Sequence, residues 1–273
     1  MALLPLLAIV AFLLAMLATF AARCVLLGRP RTPQIEAREH TVLAKFFQEW
    51  WVWLFGPIER AAVRLGISPD AVTLTSAAVA AVAAALAASG HLSAAGWTYL
   101  FGSSLDLVDG RVARATGRAS RAGAFLDSSL DRLSELLVLG GLAFALRGSP
   151  WVLAPIAASG ASVLVSYARA RGEALGIVAE AKVGGMQRPE RVVLAGIPCA
   201  LSPLWEAAGW PGGATGLVGA ALAVVAASSA ITAARRIASI YLKLRAADPP
   251  PRRERRPFAA VFRLEARRRR AFR

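Results

Sequence analysis

The chain has 273 residues, 56% of them hydrophobic, a formal net charge of +15 and only two cysteines. That combination excludes a disulfide-stapled scaffold and a disordered polar chain, and it fits an all-α integral membrane protein with one polar side rich in arginine. Cys24 and Cys199 lie far apart in or beside apolar runs, so neither a disulfide nor a metal site follows from them, and His40 and His91 stand alone in polar connections.

Residues 2–22 form an uncharged run of about the ~20 residues that span a bilayer. No Lys or Arg precedes it, while Arg23, Arg29, Arg31 and Arg38 follow it. This asymmetry predicts an uncleaved helix with its amino end outside and residue 23 onward in the cytoplasm. Residues 1–26 are therefore read as an extra N-terminal transmembrane helix. Residues 27–66 are read as a Pro-rich basic connector and an amphipathic helix over 41–65. In that helix Leu43, Phe46, Phe47, Trp50, Leu54 and Ile58 recur every three or four residues, with Glu49, Glu59, Arg60 and Arg64 on other faces. Gly56-Pro57 is expected to break it in two. Trp50, Trp51 and Trp53 suit the headgroup layer of a helix lying on the cytoplasmic face.

Six apolar segments follow within 67–244, predicted as helices over 71–88, 94–116, 121–146, 150–174, 190–208 and 214–242. Ahead of the first, Ser68-Pro69-Asp70 reads as an N-terminal cap with Asp70 as the acceptor. Small residues from Ala77 to Ala88 permit close helix contact in a bilayer, and Gly212-x3-Gly216 marks either a dimer face or a flexible turn. Connections at 89–91, 148–150 and 209–213 carry almost no Lys or Arg. Those at 23–66, 111–121, 169–191 and 235 onward carry nearly all of it, which places them in the cytoplasm.

The second and third segments concentrate acids in apolar surroundings. Asp106 and Asp109 are three apart, and Asp127 and Asp131 four apart, so each pair projects from one face of its helix. Leu105, Leu107, Val108, Phe125 and Leu126 argue against a solvated acidic face. Four carboxylates together at membrane depth need compensating cations. Oxygen ligands without nearby His or Cys suit magnesium, manganese or calcium, and two divalent ions would cancel the four charges. Gly110, Ala113 and Gly123 leave the backbone open to a ligand, and Arg114 offers a forked donor to a phosphate.

A second region, 166–191, contains Arg169, Arg171, Glu173, Lys182, Arg188 and Arg191. By spacing alone these either anchor helices among headgroups or bring cationic forks to an acceptor that carries phosphate. Pro189 fits a first helical turn. Residues 245–273 form a basic cytoplasmic tail, with eleven arginines against Asp248, Glu254 and Glu265 behind Pro249-Pro250-Pro251. Such a tail should bind anionic membrane lipids, a simpler partner for a membrane-tethered chain than nucleic acid.

The run Asp106-x2-Asp109-Gly110-x2-Ala113-Arg114-x8-Gly123-x3-Asp127-x3-Asp131 resembles the signature of the CDP-alcohol phosphatidyltransferase family. The likeness covers roughly residues 67–242. Within it, 123–132, 166–176 and 188–191 resemble the phosphatidylinositol-phosphate synthase branch. The resemblance implies a six-helix transmembrane core and a multi-pass protein, its site facing the cytoplasm, in a bacterial inner membrane. It implies two Mg2+ or Mn2+ ions on Asp106, Asp109, Asp127 and Asp131, with Asp131 also the general base. Gly110, Ala113, Arg114 and Gly123 would line the CDP group of CDP-diacylglycerol, or a related CDP-linked lipid. Arg169, Arg171, Arg188 and Arg191 would hold a small phosphorylated polyol, inositol 1-phosphate, with Arg171 and Arg191 the best matches by position. The chain departs from the pattern at Asp70, where Asn is frequent, at Arg169, where Lys is usual, and at Gln187, where an acid often stands. A homodimer also belongs to this reading. Rival readings are a phosphatidylglycerophosphate synthase, disfavoured by Ser128-Ser129 where that branch has Pro, a carboxylate-lined transporter, and a non-catalytic membrane scaffold.

Overall fold

The computed structural model describes residues 3–30, 42–177, 185–209 and 211–247. The connector from residue 31 with His40, the loop residue Lys182 and the tail beyond residue 247 lie outside the described residues. The helices are α1 (Leu3–Leu27), α2 (Val42–Arg64), α3 (Pro69–Ala88), α4 (Leu92–Ala115), α5 (Arg121–Ala145), α6 (Leu153–Ala174), α7 (Arg188–Ala200), α8 (Ser202–Ala207) and α9 (Gly213–Ala247), with a 3-10 turn, Pro150–Val152, leading into α6. Among the described residues there is no strand.

Among the described residues, four stretches are long and apolar enough to cross a membrane: α1, α3, Pro150–Ala174 and α9. Helices α4 and α5 miss that criterion because they carry the acids and arginines of the motif, while α7 is short and contains Pro198.

Helices α3 to α7 and α9 close into a ring, in the order α4, α3, α5, α6, α9, α7 and back to α4. Its core is built from small and branched side chains, including Ala83, Ala87, Leu142, Leu146, Val218, Leu222 and Val225. Two glycines set the closest approaches. A Cβ on Gly141 of α5 would collide with the Ala84 carbonyl of α3, and one on Gly96 of α4 with the Ala200 backbone of α7. Backbones that near gain dispersion contacts, which must drive helix association where lipid removes the hydrophobic effect.

Several local expectations change. The α3 cap is Ser68, whose Oγ accepts from the Ala71 N–H at 3.2 Å with Pro69 behind it, so Asp70 falls in the first turn and is released toward the site. Helix α2 continues through Pro57 instead of breaking. Gly56 before it has no Cβ for the proline ring to crowd, which eases the helical conformation of the residue before the proline. The fifth segment is interrupted at Leu201, between α7 and α8, because Pro203 cannot extend the preceding turn. Gly212 and Gly213 adopt φ of +77° and +61°, so that pair forms the turn into α9.

The aromatic face of α2 packs on protein. Phe20 of α1 is fully buried, its ring centroid 5.4 Å from Phe46 and 5.5 Å from Trp53. Trp51 Nε1 donates to Ser104 Oγ at 3.1 Å, Trp50 is buried, and Arg111 of α4 pairs with Glu59 at 2.5 Å. An Arg29–Glu49 pair ties the end of α1 to α2. The tryptophans read as headgroup anchors therefore also serve as a splint on α4, the helix carrying the first acid pair.

Replacing Gly141 and its neighbour Gly140 in turn by Leu separates packing from helix propensity, since nothing lies within 4 Å of a Cβ on Gly140. Both changes gain the same intrinsic helicity. Gly141→Leu should cost about 1–3 kcal/mol by overpacking, read as a lower thermal-unfolding midpoint in detergent, while Gly140→Leu should not lower it.

Candidate active site

A tight turn brings the two acidic helices together. Helix α4 ends with Gly117 at φ +66°, and the Arg118 N–H reaches back to the Ala113 carbonyl at 2.9 Å. Ser120 then caps α5, its Oγ accepting from the Gly123 N–H at 3.0 Å. Asp106 and Asp109 on α4 thereby face Asp127 on α5, with one carboxylate oxygen from each lying within 4.8 Å of the others.

Each carboxylate has a different setting. Asp109 is buried and accepts from Thr73 Oγ1 of α3 at 2.6 Å. Asp127 has Oδ1 buried with no protein partner. Asp131 stands outside the three-acid group and receives Arg188 Nη2 at 2.7 Å, while Nη1 of the same guanidinium reaches Asp106 at 2.5 Å. Arg188 therefore bridges the two pairs.

Three convergent carboxylates with an orphaned, buried oxygen are an incomplete arrangement without a cation. An all-oxygen set of this kind fits a hard divalent ion. Arg188 and Arg132, the latter 3.9 Å from Asp131, supply two positive charges to four acids, which leaves room for the charge such an ion carries.

Beside the acids opens a cleft lined by Asp70, Thr73, Asp109, Gly110, Ala113, Arg114, Arg118, Ser120, Gly123 and Asp127. All four positions expected to meet a nucleotide, Gly110, Ala113, Arg114 and Gly123, line this one cleft. A Cβ on Gly110 would sit 3.3 Å from Arg114 Nη1, so the glycine makes room for the guanidinium one turn later. At Gly123 a Cβ would come within 3.3 Å of Asp70 Oδ1 and 3.2 Å of Ser120 Oγ, narrowing the cleft from its wall.

The four arginines expected at an acceptor phosphate separate. Arg169 is exposed and pairs with Glu173 at 3.0 Å, and Arg171 is exposed on the last turn of α6. Arg188 lies among the acids. Arg191 is 2% exposed, and two of its nitrogens are engaged by Glu135 at 2.5 and 3.0 Å.

Sequence reasoning missed Thr73 as a partner of Asp109, Arg118 and Ser120 in the cleft, Arg188 as a bridge, and Glu135. For Glu135 a signal was present: Asp127, Asp131 and Glu135 are spaced by four and so share one face of α5. Nothing local to Arg188 announces which acids it will reach.

The family model described as CDP-alcohol phosphatidyltransferase matches residues 66–241, which contain the ring up to the last residues of α9, all four aspartates and the cleft. This chain belongs to that family. A phosphatidylinositol phosphate synthase of Mycobacteroides abscessus is 35% identical over 152 residues, 54% of this chain and 68% of that protein. The crystal structure of Mycobacterium tuberculosis phosphatidylinositol phosphate synthase with CDP-DAG bound superposes with a TM-score of 0.59 at 30% identity, covering 68% of this chain and 92% of that one. A structure of the same mycobacterial enzyme with manganese and citrate matches with the same score at 29% identity, over 68% of this chain and 88% of that one. As a CDP-alcohol phosphatidyltransferase the protein is a multi-pass membrane transferase that uses a divalent metal.

Arg188→Met removes the bridging cation and leaves Asp106 and Asp131, each about one-seventh exposed, without it. Breaking an enclosed pair from one side costs about 3–5 kcal/mol. In chelator-containing buffer the variant should unfold at a markedly lower temperature than the parent, and added Mn2+ should recover part of the difference. An unchanged midpoint would show that the bridge carries no compensating role.

Proposed function

We propose that the protein transfers the phosphatidyl group of CDP-diacylglycerol to a hydroxyl of inositol 1-phosphate and releases CMP. The observation that carries this reading is Arg188, which joins Asp106 to Asp131 at the mouth between the carboxylates and the end of α7. A guanidinium there suits an acceptor with a phosphate of its own, and its Nε is buried without a partner, leaving a donor available. The likeness to phosphatidylinositol phosphate synthases supports the same acceptor.

In this reading Asp106, Asp109 and Asp127 hold two divalent ions, Mg2+ or Mn2+, with Asp131 at their edge. When bound, the ions neutralise the diphosphate and stabilise the charge that gathers on it as the bond to CMP breaks. Thr73 fixes one oxygen of Asp109 and keeps that carboxylate turned toward its neighbours. Gly110, Ala113, Arg114 and Gly123 receive the cytidine and its phosphates along the cleft, with Arg114 folded over Gly110 as the cationic wall.

The acceptor hydroxyl oxygen attacks the lipid-side phosphorus. One P–O bond forms as the P–O bond to CMP breaks, and the electron pair leaves with CMP. Asp131 takes the hydroxyl proton, with Arg188 at 2.7 Å fixing the orientation of its carboxylate. Arg188 contacts the acceptor phosphate, with Arg169 and Arg171 drawing the anion in from the exposed end of α6. Arg191, whose donors are occupied by Glu135 and the Met186 carbonyl, is assigned a supporting place instead of direct contact.

Residues 67–244 act as the catalytic unit, with six membrane-crossing helices including α4, α5 and α7, and α1 is an additional crossing. The site faces the cytoplasm of a bacterial inner membrane, a reading supported by the arginines at the ends of α4, α6 and α9 on the side of the cleft. Anionic lipids meet the basic tail, and two copies of the chain associate as a homodimer.

Purified protein should release CMP from CDP-diacylglycerol in the presence of Mn2+ or Mg2+ when offered inositol 1-phosphate, and not with glycerol 3-phosphate, serine or free inositol. Release with glycerol 3-phosphate alone would reassign the acceptor, and release with none would remove the transferase reading. Asp131→Asn should lower kcat by about 10²–10⁴, the usual worth of a general base, without raising the KM for CDP-diacylglycerol. A variant with near-parental kcat would take the proton-accepting role away from Asp131.

A further inference from the structure

Two sets of charges meet on Asp106. One of its oxygens lies with those of Asp109 and Asp127, within 4.8 Å of one another, and its Oδ2 receives Arg188 Nη1 at 2.5 Å. Among the described residues no other carboxylate belongs to both groups. Asp109 turns to Thr73, Asp127 keeps a buried Oδ1 without a protein partner, and Asp131 stands outside the three-acid group with Arg188 Nη2 at 2.7 Å. A guanidinium on Asp106 and a divalent ion held by Asp106, Asp109 and Asp127 therefore draw on the same negative charge, and each weakens the hold of the other.

Both terminal nitrogens of Arg188 are committed to carboxylates, and its Nε is buried. Nε alone offers a phosphate one prong, and a fork needs a terminal nitrogen that one of the acids gives up. The two acids differ in what can take the place of the guanidinium. Asp131 has Arg132 as its other cation, but at 3.9 Å, beyond hydrogen-bond range, so nothing replaces its 2.7 Å contact with Arg188. Asp106 has a replacement, because Asp109 and Asp127 beside it complete an oxygen site for a divalent ion. Moving Nη1 from Asp106 to a phosphate leaves every charge compensated, the phosphate by Arg188 and Asp106 by the ion.

We propose that Arg188 ties metal affinity to the acceptor: a phosphate on the acceptor draws Nη1 away from Asp106, and the divalent ion is then held more tightly, whereas an acceptor without phosphate leaves the arginine on Asp106. Arg188 thereby sorts acceptors twice, by direct contact with the phosphate and by the strength of the metal site that the phosphate leaves behind. By linkage the ion tightens acceptor binding by the same factor. The proposal deepens the reading above and rests on the phosphorylated acceptor proposed there.

The test is Mn2+ titration of the full-length protein in detergent without CDP-diacylglycerol, so that no turnover occurs, read from the free-ion electron paramagnetic resonance signal. The parent is titrated alone and with inositol 1-phosphate, glycerol 3-phosphate or free inositol, and Arg188→Met and Arg188→Gln are titrated alone and with inositol 1-phosphate. Protein-free titrations correct for Mn2+ bound by each anion itself. Inositol 1-phosphate should lower the apparent Kd of the parent about tenfold, within the usual range of coupling between two sites, and free inositol should leave it within about twofold. Without any acceptor, both variants should bind Mn2+ about tenfold more tightly than the parent, and inositol 1-phosphate should then move their Kd by less than about twofold. Mn2+ binding by the variants that is equal to the parent's or weaker overturns the proposal, because Arg188 then supports the ion instead of competing with it. An equal gain from inositol 1-phosphate in parent and variants also overturns it, because the anion then acts on the metal directly. If neither variant folds, the parent decides, and a Kd unmoved by inositol 1-phosphate overturns the proposal. A shift with glycerol 3-phosphate in place of inositol 1-phosphate upholds the exchange at Asp106 and refutes only the acceptor named above.

Discussion

Four carboxylates in apolar surroundings cannot be left with their charge uncompensated, and the rest of the molecule is arranged around that constraint. Asp106, Asp109 and Asp127 converge on one point, while Asp131 and Asp106 share the guanidinium of Arg188. Arg188, together with Arg132 at 3.9 Å from Asp131, does not offset four acids, and the unpartnered Oδ1 of Asp127 marks where compensation is incomplete. A divalent cation completes the set, and its charge is then available to a diphosphate. Stability and chemistry draw on the same electrostatic deficit.

The scaffold holds this arrangement by close packing. Gly141 against Ala84 and Gly96 against Ala200 bring α5 to α3 and α4 to α7 at distances no larger residue allows. The short turn at Gly117 and the Ser120 cap join α4 to α5 so that both acid pairs face inward. Outside the family's span, α2 braces α4 through Trp51 and the Arg111–Glu59 pair, and α1 backs α2 through Phe20. Helix α4 is thus held by α2, α3 and α7 together, the kind of support a pre-organised site requires.

The acid pairs and the nucleotide-facing positions were legible because their information is local: spacings of three and four set a helix face, and Gly110 and Gly123 advertise open backbone. The helices themselves were legible to within a few residues from hydropathy and turn residues. What escaped depends on contacts between segments distant in the chain. Two local readings also moved: Gly56 lets Pro57 stay within α2, and Ser68, two positions before Asp70, caps α3 with its hydroxyl. Arg188 and Arg191 looked alike in the run from Gln187 to Arg191. Burial alone sends one to the reacting acids and the other to Glu135.

The most direct test of the charge-compensation account is Mn2+ binding to the purified protein, followed by electron paramagnetic resonance as loss of the free-ion signal, for the parent and for the Asp106→Asn, Asp109→Asn, Asp127→Asn triple variant. The account predicts that the parent depletes free Mn2+ at stoichiometric concentration and that the folded triple variant does not. Equal, weak uptake by both proteins would contradict it.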